Sequence, residues 1–297
     1  MKQSDYALFW QKVHDEARAK HLPLRVMFEL TYKCNFFCRH CYVPKAWRRK
    51  KDLSTDQVLE VIRQLKAAGC FYLGFTGGEI FMRRDIWKIT EFSRKAGMQI
   101  ILYTNGSLID EEAAKRIAAI GVNKVDITLP GISQKVFETV TGVKESHHKT
   151  FAAIGFLRKY KVELGFKSCM VKANQKEIPA IKTFCVGLGC DHRLDDCPSP
   201  RIDGSREPLR YGVAVKGAIS AGAGFVCASG ISQCAITPWG KLKLCPLVPW
   251  PDVDITVDKF AGAWESLPQL IVAERTKCLS TEPRLIYNCQ RCAIRAS

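Results

Sequence analysis

The sequence predicts an α/β fold organised around a parallel sheet. Two observations carry that expectation. From residue 25 onward, apolar runs of strand length alternate with helix-length amphipathic stretches. Gly69, Gly97, Gly121 and Gly189 stand just past four of those helical stretches, where a left-handed cap is needed. Strand–helix repetition implies parallel strands joined by right-handed crossovers.

The elements follow in order. Residues 4–20 read as an amphipathic helix, with Leu8, Val13 and Ala17 on or near one face. Strands are expected at 25–31, 71–76, 99–104, 124–129, 162–172 and 192–195. Helices are expected at 55–68, 85–96, 110–120, 149–160 and 176–188. Ser54, three residues before Gln57, is a capping-box start for the first of these. Six strand–helix units are too few for a closed eight-stranded barrel. From Pro198 to Gly224 the chain turns rich in Pro, Gly and Ala, as a bridging segment does. The remainder holds short strand-like pieces and six cysteines, with too little apolar content for a large core of its own. This divides the chain into an N-terminal helix (1–24), an α/β body (25–215) and a small C-terminal unit (216–297), which a metal would staple.

Composition narrows the function classes. No apolar run approaches the ~18 residues of a membrane span, and residues 1–20 lack a secretory h-region. A cytoplasmic location is expected. Fourteen cysteines in such a chain point to metal or catalysis, because the cytosol keeps thiols reduced. The net charge of +16 favours anionic partners, and the densest basic run is Arg48-Arg49-Lys50-Lys51.

That run follows the most specific motif. Cys34, Cys38 and Cys41 are spaced C-x3-C-x2-C, just after the first strand. Three thiolates in one short loop can hold three irons of a [4Fe–4S] cluster and leave the fourth open. A zinc site completed by His40 is the competing reading. The second motif is Gly77-Gly78-Glu79 at the end of the second strand, where two glycines let backbone approach a ligand closely. The third is Thr104-Asn105-Gly106 after the third strand, which is also an ordinary turn signal.

Together these motifs resemble the radical S-adenosylmethionine (radical SAM) enzymes, from Arg25 to Cys292. The resemblance implies a partial (β/α)6 barrel, with Cys34, Cys38 and Cys41 at the catalytic rim. His40 stands where that family usually has an aromatic ring. Gly77, Gly78 and Glu79 match its GGE motif, which holds the amino group of S-adenosyl-L-methionine; the Glu79 carboxylate is expected to meet that ammonium. Thr104, Asn105, Asp126 and Thr128 are candidates for the ribose and carboxylate of the cofactor, Asn105 and Thr128 foremost. Lys167 and Ser168 are further candidates. The implied chemistry is reductive. An electron reaches the cluster, the cofactor is cleaved to a 5′-deoxyadenosyl radical, and that radical abstracts hydrogen from substrate.

The C-terminal cysteines resemble the auxiliary-cluster unit called SPASM in its full form and twitch in its short form. Cys227, Cys245 and the pair Cys289-Gln290-Arg291-Cys292 carry the likeness, with Ile236-Thr237-Pro238-Trp239-Gly240 before Cys245. It implies one auxiliary [4Fe–4S] cluster on Cys227, Cys245, Cys289 and Cys292. A four-cysteine zinc ribbon uses the same ligands. Cys234 and Cys278 are alternates, and Cys234 is also placed to bind substrate. Cys70, Cys169, Cys185 and Cys190 read as packed thiols. Cys197, after the sixth strand, is placed to touch substrate.

Three functions compete. The first is modification of a ribosomally made peptide by cross-linking, epimerisation or oxidation. The second is dehydrogenation or rearrangement of a sugar-like small molecule. The third is a zinc protein that binds nucleic acid. The first two call for an anionic peptide or small-molecule substrate and an electron donor such as flavodoxin or ferredoxin.

Overall fold

The computed structural model describes residues 3–213 and 228–280. The six expected strands form as β1 (Arg25–Thr31), β2 (Tyr72–Gly77), β3 (Gln99–Thr104), β4 (Lys124–Thr128), β5 (Leu164–Cys169) and β6 (Asp191–Asp195). They pair in parallel, each with the next. Helices α1 (Gln3–Ala19), α2 (Thr55–Ala67), α3 (Ile86–Lys95) and α4 (Glu111–Ile120) lie where the pattern places them. The Ser54–Gln57 capping box is present at α2, and the four helix-end glycines all have positive φ. An unexpected helix, α5 (Gln134–Thr141), follows β4, with the Ser133 hydroxyl accepting from Val136 N–H. Then come α6 (Ser146–Lys159) and α7 (Ile178–Gly187).

The sheet does not stop at β1. Strands β7 (Gln233–Ile236), β8 (Lys241–Cys245) and β9 (Val248–Asp254) extend it, giving the order β6-β5-β4-β3-β2-β1-β7-β8-β9. β7 is parallel to β1, with Arg25 opposite Gln233, and β8 and β9 are antiparallel additions. Helix α8 (Phe260–Ser280) then returns to α2, where Phe260 N–H donates to Gln64 Oε1 at 2.8 Å. It also meets the end of the N-terminal segment: His21 stacks on Trp264 and accepts from its indole N–H through its backbone carbonyl at 2.7 Å. The described part of the C-terminal region is thus built onto the α/β body strand by strand.

Core side chains alternate along the strands. In β3, Ile100, Leu102 and Thr104 are buried beneath helices, while Gln99, Ile101 and Tyr103 on the other face are half-buried. That second face is polar: Lys124 and Asp126 on β4 approach to 3.9 Å, and Lys167 on β5 pairs with Asp195 on β6 at 2.7 Å. Among the described residues, no helix is long and apolar enough to cross a membrane.

Candidate functional site

The cysteine loop leaves β1 at its C-terminal end, the end where ligands collect in parallel sheets. Its root is fixed by the end of β2. Gly78 N–H donates to the Thr31 carbonyl at 2.7 Å and Glu79 N–H to the Lys33 carbonyl at 2.8 Å. A Cβ on Gly77 would stand 2.2 Å from the Thr31 oxygen, and one on Gly78 would stand 2.1 Å from the Lys33 oxygen. Side chains at either position would push the cysteine loop away. The paired glycines therefore serve backbone packing beneath Cys34, whatever else they touch.

Glu79, the residue expected to meet the cofactor's ammonium, is held within the chain by four hydrogen bonds. Its side chain is fully buried and turned inward, accepting from Thr104 Oγ1 at 2.8 and 2.9 Å, Asn105 N–H at 2.8 Å and Phe81 N–H at 3.1 Å. Burial pushes its carboxyl pKa up, against the pull of these donors. It ties the end of β2 to the end of β3. Asn105 is likewise engaged: its amide donates to Asn35 Oδ1 at 2.9 Å and its oxygen accepts from Ser107 N–H and Oγ. Asn35 Nδ2 donates in turn to Ser107 Oγ at 2.8 Å. Asn35, between Cys34 and Cys38, is thus the loop's tie to β3. The sequence reading missed it; the signal was its position inside the motif.

The three thiols are half-buried. Burial pushes the Cys34 thiol up to about 11. Cys38 is raised further by burial, and then by the charges that Cys41 and Cys34 would carry. A bound cationic metal group would supply the charge that lets such thiols ionise. Among the described residues, no three His, Cys, Asp or Glu side chains converge on one ion-sized point. Ligands to separate irons of a cluster need not do so. His40 lies on the sheet's polar side. Burial, then the charge of Lys167, pushes its pKa down to about 4, and its Nδ1 is buried without a partner. Thr128 is half-buried beside Lys167 in the β4–β5 register. Ser168 is spoken for, donating to the Leu129 carbonyl and contacting His192.

A buried ionic network underlies this site. Glu29 on β1 and Lys243 on β8 pair at 2.7 Å, with side chains 0% and 2% exposed. Tyr32 and Tyr42 hydroxyls donate to the two Glu29 oxygens at 2.8 and 2.9 Å. Lys243 also donates to the Pro246 carbonyl at 3.1 Å. Nearby, Trp239 packs edge-on to Tyr32 and Trp47, with centroids 5.3 and 5.1 Å away. The segment before Cys245 is therefore welded to the base of the cysteine loop.

The other cysteines separate. Cys227, Cys289 and Cys292 lie outside the described residues, and Cys278 falls in α8. Cys245 ends β8; because β8 runs against β7 and β1, it lies toward the opposite end of β1 from Cys34. Cys234 corrects the sequence reading. It sits in β7 opposite Val26, buried beside Cys70 in the apolar core. Cys185 is buried on α7 and Cys197 is exposed after β6.

The chain is 31% identical over 157 residues to the Fe-coproporphyrin III synthase of Methanosarcina barkeri, covering 52% of this chain and 39% of that protein. It is 26% identical over 182 residues to the PqqA peptide cyclase of Bradyrhizobium diazoefficiens, covering 61% and 48%. The chain thus spans less than half the length of these curated relatives. The fold matches Streptococcus suis SuiB bound to its precursor peptide SuiA, with a TM-score of 0.67 at 14% identity, covering 94% of this chain and 75% of that one. The model of the Radical SAM superfamily matches residues 28–184, more than half of the chain, and the protein belongs to that superfamily.

Proposed function

We propose that this protein modifies a peptide by hydrogen abstraction, with Cys34, Cys38 and Cys41 holding the [4Fe–4S] cluster that its family uses with S-adenosyl-L-methionine. The observation that carries the reading is the half-buried thiol triplet in the loop that leaves the C-terminal end of β1, braced from below by Gly78 and Glu79. When bound, the two cofactors supply a 5′-deoxyadenosyl radical. The chain's own residues do the rest. Gly77 and Gly78 seat the loop, while Glu79 and Asn105 tie it to β3. The unpartnered His40 Nδ1 offers a hydrogen-bonding atom to a cofactor on the polar side, with Thr128 as a second contact. Cys227, Cys245, Cys289 and Cys292 would hold an auxiliary [4Fe–4S] cluster, a reading that rests on their spacing. The abundance of thiols suits a reducing cytoplasm.

A peptide substrate is supported by two comparisons, to a peptide cyclase and to a fold neighbour bound to a precursor peptide. The first relative's name, a porphyrin synthase, favours a small molecule as the second reading. The test is anaerobic reconstitution, iron and sulfide analysis, and assay of dithionite-driven 5′-deoxyadenosine formation. Iron-dependent cleavage that is lost in Cys38→Ala is expected. A zinc-loaded, iron-free protein with intact fold refutes the reading. Co-expression with candidate precursor peptides, read by mass spectrometry, then separates peptide from small-molecule substrates.

A further inference from the structure

The cysteine loop has two sides, and only one belongs to the chemistry described so far. His40 lies on the sheet's polar side, in the field of Lys167 and Asp195. Phe37, three residues earlier, packs against α5, with its Cβ 3.4 Å from where a Gly142 Cβ would stand. The residue is 64% exposed, more than any other Phe, Tyr or Trp among the described residues. Yet the residue is held firmly. Phe37 N–H donates to the Thr141 carbonyl at 2.9 Å. Arg48 folds back to donate to the Phe36 carbonyl at 2.6 Å, with its guanidinium 5.8 Å from the Phe37 ring.

An ordered, exposed aromatic backed by arginine is the composition of an interface centre rather than of idle surface. The turn that supplies Arg48 also supplies Arg49, and Lys51 follows; both are exposed. Their partner must be acidic. The adjoining residue is Cys38, a cluster ligand under the function proposed above. Tunnelling rates fall steeply with distance, so a reductant must dock where a ligand residue comes nearest to solvent. Phe37 is the exposed neighbour of Cys38, beside the outer helix α5.

We propose that Phe37, Arg48, Arg49 and Lys51 form the docking face for an acidic one-electron carrier protein. One electron leaves the carrier and one enters the cluster; no bond or proton changes hands. The inference rests on the cysteine triplet holding a cluster.

The test compares two reductants on the reconstituted full chain: purified reduced flavodoxin, which must dock, and dithionite, which need not. Bleaching of the cluster's visible absorption is followed by stopped flow. The variants are Phe37→Ser and the double charge reversal Arg49→Glu/Lys51→Glu. With flavodoxin, each variant is expected to slow reduction by about tenfold at low salt, the parent's advantage shrinking as salt screens the face. With dithionite, parent and variants are expected to agree within about twofold. Unchanged reduction by flavodoxin overturns the proposal. Equal slowing with both reductants also overturns it, since the loop itself would then be damaged. So does normal flavodoxin reduction with weakened binding of an acidic substrate peptide, which would assign the basic turn to substrate. A parent protein that dithionite cannot reduce, or that lacks iron, refutes the cluster reading as well, and so is told apart from a failure of docking alone.

Discussion

Lys243→Met isolates the buried pair beneath the cysteine loop. Lys243 meets Glu29 at 2.7 Å with both side chains out of solvent, and two tyrosine hydroxyls complete the Glu29 shell. Methionine keeps the volume and removes the charge. A buried carboxylate left without its cation costs about 3–5 kcal/mol. In a domain of this size each kcal/mol moves Tm by about 2–4 °C, so a fall of roughly 10 °C is expected. Thermal unfolding of the iron-free protein under reducing conditions, followed by circular dichroism, measures that fall, and chemical denaturation gives the free-energy loss, without involving any cluster. Glu29→Gln/Lys243→Met then removes both charges and leaves the amide to pair with Tyr32 and Tyr42. The double variant should recover about 2 kcal/mol relative to the sum of the single losses. A Lys243→Met protein that unfolds within about 1 kcal/mol of the parent, or a double variant that merely sums the singles, would show that the pair is not the weld described.

Three further outcomes are expected. Gly78→Ala should lower iron incorporation at the first site with modest loss of overall stability, since its Cβ would stand 2.1 Å from the Lys33 carbonyl oxygen; iron analysis and thermal unfolding together check this. Glu79→Gln should destabilise by about 1–3 kcal/mol, because its amide N–H2 would face backbone N–H donors now held by a carboxylate oxygen; retained stability with loss only of cofactor affinity would return Glu79 to the ammonium. Cys289→Ala should remove about four irons per chain and leave S-adenosylmethionine cleavage intact; loss of all iron would mean that the two sites are not separate.

Much of the architecture was legible because the strand–helix alternation is strongly periodic and four helices end on glycine. The site-bearing loop was legible too, since cysteine spacing is local information. What escaped depends on distant pairs. Nothing near Glu29 announces Lys243, more than two hundred residues away, and a lysine in a short strand reads as surface. Helix α5 escaped because eight residues give little periodicity, although Ser133 and Gly142 frame it. The ties of Glu79 escaped for a related reason: its motif identifies the residue, but only the fold shows that Thr104 and Asn105 donate to its oxygens. Cys234 was one more cysteine in a rich segment until its register opposite Val26 placed it in the core.

The parallel pairing of β7 with β1 sets an order of events at the ribosome. β1 and the cysteine loop are made early, but the strand that covers the free edge of β1 is made about two hundred residues later. At about 5–20 residues per second, that edge stays open for ~10–40 s of synthesis. Through that interval β1 is a template for unwanted strand pairing, with three thiols at its end. Glu29 also waits for its cation, because Lys243 arrives only with β8. Slowed elongation after residue 200, or truncation before β7, should therefore show up as aggregation and thiol oxidation rather than as a shortened but soluble protein.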